Sequence, residues 1–130
     1  MASCLSERFR IPYPKTQAGR KQWSKDYGMN AYYAGKHWSA RKKDADFWHM
    51  LVRSSMNNQD VRRVPFKRPV VVIFHWNDRL DIDNHAVMGK MIVDALKGRV
   101  IEDDSRRWLK GVCHYFHDED YIGVEVREIK

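Results

Sequence analysis

Residues 70–76 read VVVIFHW. The run is β-branched or aromatic at every position except His75. Side chains of that kind favour a strand, and unbroken apolarity predicts a central strand buried on both faces. Such a strand cannot stand alone. It needs neighbours at both edges and cover over its apolar surface. The rest of the chain therefore has to supply further strands and amphipathic helices.

Those elements can be found. Residues 8–14 (RFRIPYP) suit a short edge strand stopped by prolines, with residues 1–8 loose before it. Residues 15–38 are polar, basic and aromatic without a clean period, and are read as loop with room for a hairpin. From Ala40 to Met56 there is no Gly or Pro. Phe47, Trp48, Leu51, Val52, Ser55 and Met56 fall at helical spacing, with Ser39 as N-cap. A second helix follows the central strand, capped by Asp83 or Asn84 and stopped at Gly98, with Met88, Met91, Ile92, Ala95 and Leu96 as its buried stripe. Residues 99–104 make a short strand or loop. Residues 108–117 and 121–129 read as two strands of a terminal hairpin joined by an acidic turn; Ile122, Val124 and Val126 alternate with polar or small residues. The expected fold is α+β: one domain over residues 1–130, a small mixed sheet flanked by two main helices.

The chain has 130 residues, 43% of them hydrophobic and 32% charged, which fits a folded globular protein. No apolar run approaches the ~20 residues of a membrane helix. The first residues lack a signal peptide's apolar stretch. A cytoplasmic protein with no membrane partner is expected. Cys4 and Cys113 form no CxxC pair, so they are read as structural or incidental thiols. The net charge is +7, which favours a polyanionic partner such as nucleic acid, and is also what plain solubility would give.

Against that basic background the acids are concentrated. Asp81 and Asp83 follow the central strand, and Glu102, Asp103 and Asp104 follow the second helix. In extended backbone, positions i and i+2 point the same way. Two carboxylates held close need a cation, and Mg2+ takes such oxygen ligands while keeping water. The topology can bring Asp104 to the same mouth. The same residues equally suit a turn followed by a helix cap. Asp83, Lys90, Asp94 and Lys97 share one helix face, so Lys90 can lean toward a bound phosphate or pair with Asp94. His85 is read as an exposed first-turn histidine, with metal ligation or proton transfer as the alternatives, and His75 as a satisfied buried one. His114 and His117 fall on opposite strand faces and are not read as ligands.

The ordered set Asp81-x-Asp83-Asn84, Lys90, Asp94-Ala95-Leu96 and Asp103-Asp104 resembles the signature of the RusA-like family of Holliday-junction resolvases, common in phages and prophages. The likeness covers residues 81–104. It implies a Mg2+-dependent endonuclease, with Mn2+ as a substitute and no small-molecule cofactor, acting as a homodimer on four-way DNA junctions in a bacterial host. By the resemblance Asp81, Asp83 and Asp104 are the metal-binding carboxylates and Lys90 the catalytic lysine. Lys90 lies seven positions after Asp83, a longer interval than in the family pattern. The difference is close to one helical turn, which keeps the face and shifts the height by ~4.5 Å. Leu80 stands where the family tends to have a basic residue, with Arg79 one position earlier. The expected DNA contacts are Lys36, Arg41, Lys42 and Lys43, then Arg79, then Arg106 and Arg107, with the Arg62–Arg68 stretch and Lys110 beside them. Tyr32, Tyr33 and Trp38 are placed to stack on bases or to pack on the sheet. Phe116 and Val112 are dimer-patch candidates. The alternatives are a nuclease without junction preference, one using Asn84 and His85, or a DNA binder without catalysis.

Overall fold

In the computed structural model, residues 5–129 are described. The chain runs β1 (Ser6–Pro12), α1 (Gln17–Tyr27), α2 (Met29–Tyr33), α3 (Trp38–Asn58), β2 (Val70–Trp76), a 3-10 turn (Ile82–His85), α4 (Ala86–Leu96), β3 (Leu109–Phe116) and β4 (Tyr121–Glu128). The strands form one mixed sheet in the order β1-β4-β2-β3. The α+β class holds.

The VVVIFHW run is β2, and it is central. β3 lies parallel on one side and β4 antiparallel on the other. Val70, Val72, Phe74 and Trp76 are buried, but Val71, Ile73 and His75 are only half-buried. Burial on both faces is thus corrected: one face carries the core and the other is partly open to water. His75 lies on that open face, ring to ring with Tyr115 and His117, and is not a sealed core histidine.

The terminal strands are not hairpin partners, because β2 lies between them. Their turn crosses the end of β2, where the His117 N–H donates to the Trp76 carbonyl (3.0 Å) and the Asn77 amide donates to Glu119 (2.9 Å). β1 is the expected edge strand, but it starts earlier. Ser6, Glu7 and Arg8 pair with Arg127, Val126 and Glu125, so of the residues expected to be loose these are held. Residues 1–4, with Cys4, lie outside the described residues.

The stretch read as loop is helical. The Thr16 hydroxyl accepts the Gly19 N–H at 2.9 Å and so caps α1. Trp23 and Tyr27, one turn apart, anchor the helix against Trp48 of α3, with ring centroids 6.0 and 5.4 Å away. α3 is capped by His37, whose Nδ1 accepts the Ser39 N–H, rather than by Ser39 itself. Its stripe is as expected for Trp48, Val52, Ser55 and Met56; Phe47 is 48% exposed. α4 is buried along most of its length and approaches the sheet closely at Gly89. A Cβ there would lie 3.0 Å from His114 and 3.2 Å from Phe74. Gly98 ends the helix region with φ +77°, a conformation glycine adopts without strain.

Candidate functional site

Asp81 and Asp83 sit in the loop that leads from β2 into α4. Asp81 is extended (φ −63°, ψ 154°), but Ile82–His85 form a 3-10 turn, closed by the Asn84 N–H donating to the Asp81 carbonyl at 2.9 Å. The same-side argument for extended residues therefore does not apply to this pair. The capping alternative does not hold either. α4 begins after His85 with no side-chain cap, and the 3-10 turn has none. Both aspartates are exposed, and among the described residues neither has an ion-pair partner.

A buried network lies beneath them. His85 is fully buried rather than exposed. Its Nδ1–H donates to the Ile82 carbonyl at 3.0 Å, and its Nε2 is hydrogen-bonded to the Asp78 carboxylate, 2.9 Å from each oxygen. Asp78 also accepts the Leu80 N–H (3.0 Å) and the Tyr13 hydroxyl (3.0 Å). The Tyr13 oxygen accepts the Asn77 N–H at 2.7 Å. Burial, with Asp78 adding to it, pushes the Tyr13 phenol far above its ordinary value, so it stays a donor. The His85 ring lies 4.4 Å from Trp76, centroid to centroid. Asp78 and Tyr13 were not read from the sequence as site residues. One signal was present: His85, Met88 and Ile92 are three and seven apart, which places the histidine on the buried stripe.

The other predicted residues gather along α4. Lys90 lies 3.6 Å and Lys97 3.2 Å from the Asp94 carboxylate, and Lys97 also lies 3.2 Å from Asp104. The Lys97 ammonium, opposed by partial burial and helped by Lys90, holds the Asp104 carboxyl below its ordinary range. Asp94, followed by Asp104, raises the Lys97 ammonium in turn. Lys90 and Asp104 border one groove of about 310 Å3 with Gly89, Val93, Val112 and His114. Asp104 thus pairs with Lys97 just past the end of α4 and shares a groove with Ala86, Gly89, Lys90 and Val93, whereas Asp81 and Asp83 precede the helix. Among the described residues no three His, Cys, Asp or Glu side chains are grouped as a metal site. Two exposed carboxylates suit, in kind, an Mg2+ that keeps most of its water. Lys97 occupies Asp104.

A larger cleft, about 890 Å3, opens between α1 and the loop that carries the acids. Lys15, Arg20, Lys21 and Arg79 line it, over Tyr13 and Trp23. Arg20 pairs with Asp120, and Asp78 is taken by His85 and Tyr13. Lys15, Lys21 and Arg79 are exposed, with no ion-pair partner among the described residues. Of the cations expected to meet DNA, Arg79 lies here. Lys36 is instead part of the fold: it pairs with Asp44 at 2.5 Å and donates to the Asp26 carbonyl. Arg41 lies over the Tyr32 ring, and Lys42, Lys43, Arg106 and Arg107 are exposed. Tyr33 and Trp38 are 78% and 72% exposed, while the Tyr32 hydroxyl donates to Asp44. Val112 and Phe116 are also exposed. Lys15, Arg20 and Lys21 lie on or beside α1, whose polar sequence shows no helical period, so their place on the cleft is not readable along the chain.

No helix among the described residues is long and apolar enough to cross a membrane. No protein-family model matches the chain, and no curated protein matches it.

Proposed function

We propose that the chain is a Mg2+-dependent, structure-specific DNA endonuclease of the RusA-like kind, which resolves four-way junctions by paired phosphodiester hydrolysis. It acts as a homodimer in the cytoplasm of a bacterial host. The observation that carries this reading is the uncommitted state of Asp81 and Asp83. Neither side chain makes a capping hydrogen bond or, among the described residues, an ion pair, and the loop that carries them borders a cleft lined by cations. Exposed acids with no structural task fit a ligand role.

When bound, Mg2+ polarises the scissile phosphate and supplies an activated water. Asp81 and Asp83 would hold it, with Asp104 as the third ligand of the family pattern. Lys15, Lys21 and Arg79 hold the phosphate backbone beside the acidic loop. Lys90, exposed on α4, neutralises charge on the phosphate. A junction is roughly two-fold symmetric and needs two cuts, which a C2 dimer supplies with one site per subunit.

The test is an end-labelled four-way junction beside a matched linear duplex, with Mg2+ or EDTA, for the wild-type and Asp83→Asn chains. Paired nicks in the junction alone, dependent on Mg2+ and lost in the variant, are expected. Equal cutting of both substrates removes the junction preference.

A second reading, a DNA-binding protein without catalysis, is favoured by one observation. Asp104 is paired with Lys97, and no group of three metal-ligating side chains forms among the described residues. It is supported by salt-sensitive junction binding that EDTA leaves unchanged, with no nicks in any lane.

A further inference from the structure

The acidic loop is exposed, yet its backbone is tied from below. Of its residues, Asn77, Asp78, Leu80, Ile82 and His85 all enter one part-buried hydrogen-bonded network, centred on the sealed His85 ring and the Asp78 side chain. We infer that His85 is a positioning residue for the candidate metal loop, acting through the Ile82 carbonyl, with Asp78 and Tyr13 as its support. This rests on the reading of Asp81 and Asp83 as the metal-binding pair.

Three features carry the inference. The first is the place of the contact. The Ile82 carbonyl belongs to the peptide that joins Ile82 to Asp83. Holding it fixes ψ of Ile82 and φ of Asp83, and so the direction in which the Asp83 side chain leaves the backbone. Ile82 is 37% exposed, so its side chain is not sealed in the core. The carbonyl is the handle.

The second is the rigidity of the donor. The His85 ring has no exposed surface, and the Asp78 side chain has 6%. Both carboxylate oxygens are engaged, by Leu80, Tyr13 and His85. Trp76 lies 4.4 Å away and Phe116 meets the ring edge-on at 5.8 Å. A ring held at both nitrogens and flanked by two aromatic rings has one orientation open to it.

The third is the cost of the arrangement. A buried imidazole–carboxylate pair stabilises a fold no better than an apolar pair of similar volume. At a position on the apolar stripe with Met88 and Ile92, a leucine would serve packing alone. The polar pair is accounted for by orientation of the loop. Pairing of a histidine with a carboxylate that fixes what its other nitrogen holds is a general way to orient ligands at metal sites.

The experiment separates the two nitrogens. In His85→Asn the side-chain amide stands where Nδ1–H was and can still donate to Ile82. In His85→Gln it reaches toward Asp78 and releases Ile82. The readouts are exchange of the Asn84 amide in EDTA, which reports the 3-10 turn, and Mn2+ affinity by calorimetry, with melting temperature recorded alongside. For His85→Gln, Asn84 exchange is expected to rise and Mn2+ affinity to fall, each about tenfold, as for one lost hydrogen bond. His85→Asn is expected to stay within about threefold of wild type in both. Tyr13→Phe removes one hydroxyl and keeps the ring. It provides a mild third point, about fivefold faster exchange at Asn84, should the His85 variants not fold. Equal behaviour of the Asn and Gln variants, or a lowered melting temperature with unchanged Asn84 exchange, overturns the positioning role. An unchanged Tyr13→Phe does the same if the His85 variants do not fold. Wild-type protein that binds no Mn2+ and cuts no DNA, yet shows the Asn-versus-Gln difference at Asn84, overturns the nuclease reading and leaves the clamp as loop structure.

Discussion

Trp23→Ala tests how the cation-lined cleft is built. Trp23 is the one buried residue of α1. Its indole meets Tyr13 edge-on at 5.1 Å and lies 6.0 Å from Trp48. Truncating a buried tryptophan costs about 3–5 kcal/mol. α1 has 11 residues, below the ~12–15 at which even a favourable isolated helix becomes marginal. Without the indole, α1 keeps only the half-buried Tyr27 against Trp48 and Phe47 and the Arg20 contacts to Asp120 and Pro14, whereas β2, β4, α3 and α4 keep their shared core. The loss should therefore appear as local opening. At 1.4 kcal/mol per factor of ten, 3 kcal/mol corresponds to amide exchange in residues 20–27 faster by about 100-fold. Amides of β2 and α4 should change far less. Lys21 rides on α1, so if the cleft takes DNA as proposed, DNA affinity should fall as well, and the slope of log K against log salt should flatten by about 1. Hydrogen exchange by mass spectrometry measures the first effect and a salt series of junction binding the second. Uniform acceleration across β2 and α4 would refute the reasoning by making α1 part of the global core. Unchanged exchange in α1 would refute it by showing that Trp23 is not the anchor.

Further outcomes follow from other contacts. Gly89→Ala gains about 1 kcal/mol of helix propensity but drives a methyl against His114 and Phe74, and overpacking costs about 1–3 kcal/mol; urea unfolding should show net destabilisation. Burial, then His85, lowers the His114 pKa, and its Nδ1 accepts the Trp76 N–H only while neutral. A histidine lowered in the folded state binds its proton more readily unfolded. Stability is then complete above the ordinary value near pH ~6.5 and falls as pH drops below it. His114→Gln should flatten that slope, leaving the part due to His75, which burial also lowers. Lys97→Met should let the Asp104 carboxyl rise toward its ordinary value in an NMR titration. The pair stabilises the fold above the ordinary carboxylate range and is lost as pH falls through the lowered value, an effect under about 1 kcal/mol because both side chains are about one-third exposed.

Much of the architecture was legible in sequence. VVVIFHW named the central strand to the residue, the apolar period of α3 and α4 placed both helices, and alternation in residues 121–128 gave β4 its inward face. These are local signals: a side-chain period reports which face meets the core, whatever that core is. α1 was missed because its helical character depends on Thr16 capping and on Trp23 finding Tyr13 and Trp48, contacts that a largely polar segment does not announce. Which strands are neighbours also lay outside the sequence signal. β3 and β4 are adjacent in the chain but flank β2, because strand order is set by packing between elements and not by the turn that links them.

The candidate site divides in the same way. The residue types and order of Asp81, Asp83, Lys90 and Asp104 can be read along the chain. Where each carboxylate lies cannot. The parallel β2–β3 pairing returns Asp104 beside Lys97 and along the groove of α4 that holds Lys90, while Asp81 and Asp83 stay before the helix N-terminus. The burial of His85 against Asp78 likewise depends on Tyr13, far away in sequence, closing the network from β1's end. Sequence by itself determined which side chains can bind a cation or a phosphate. Only the tertiary structure decided which of them are exposed, which are already paired, and which sit beneath the loop to hold it, because those properties belong to contacts between distant residues.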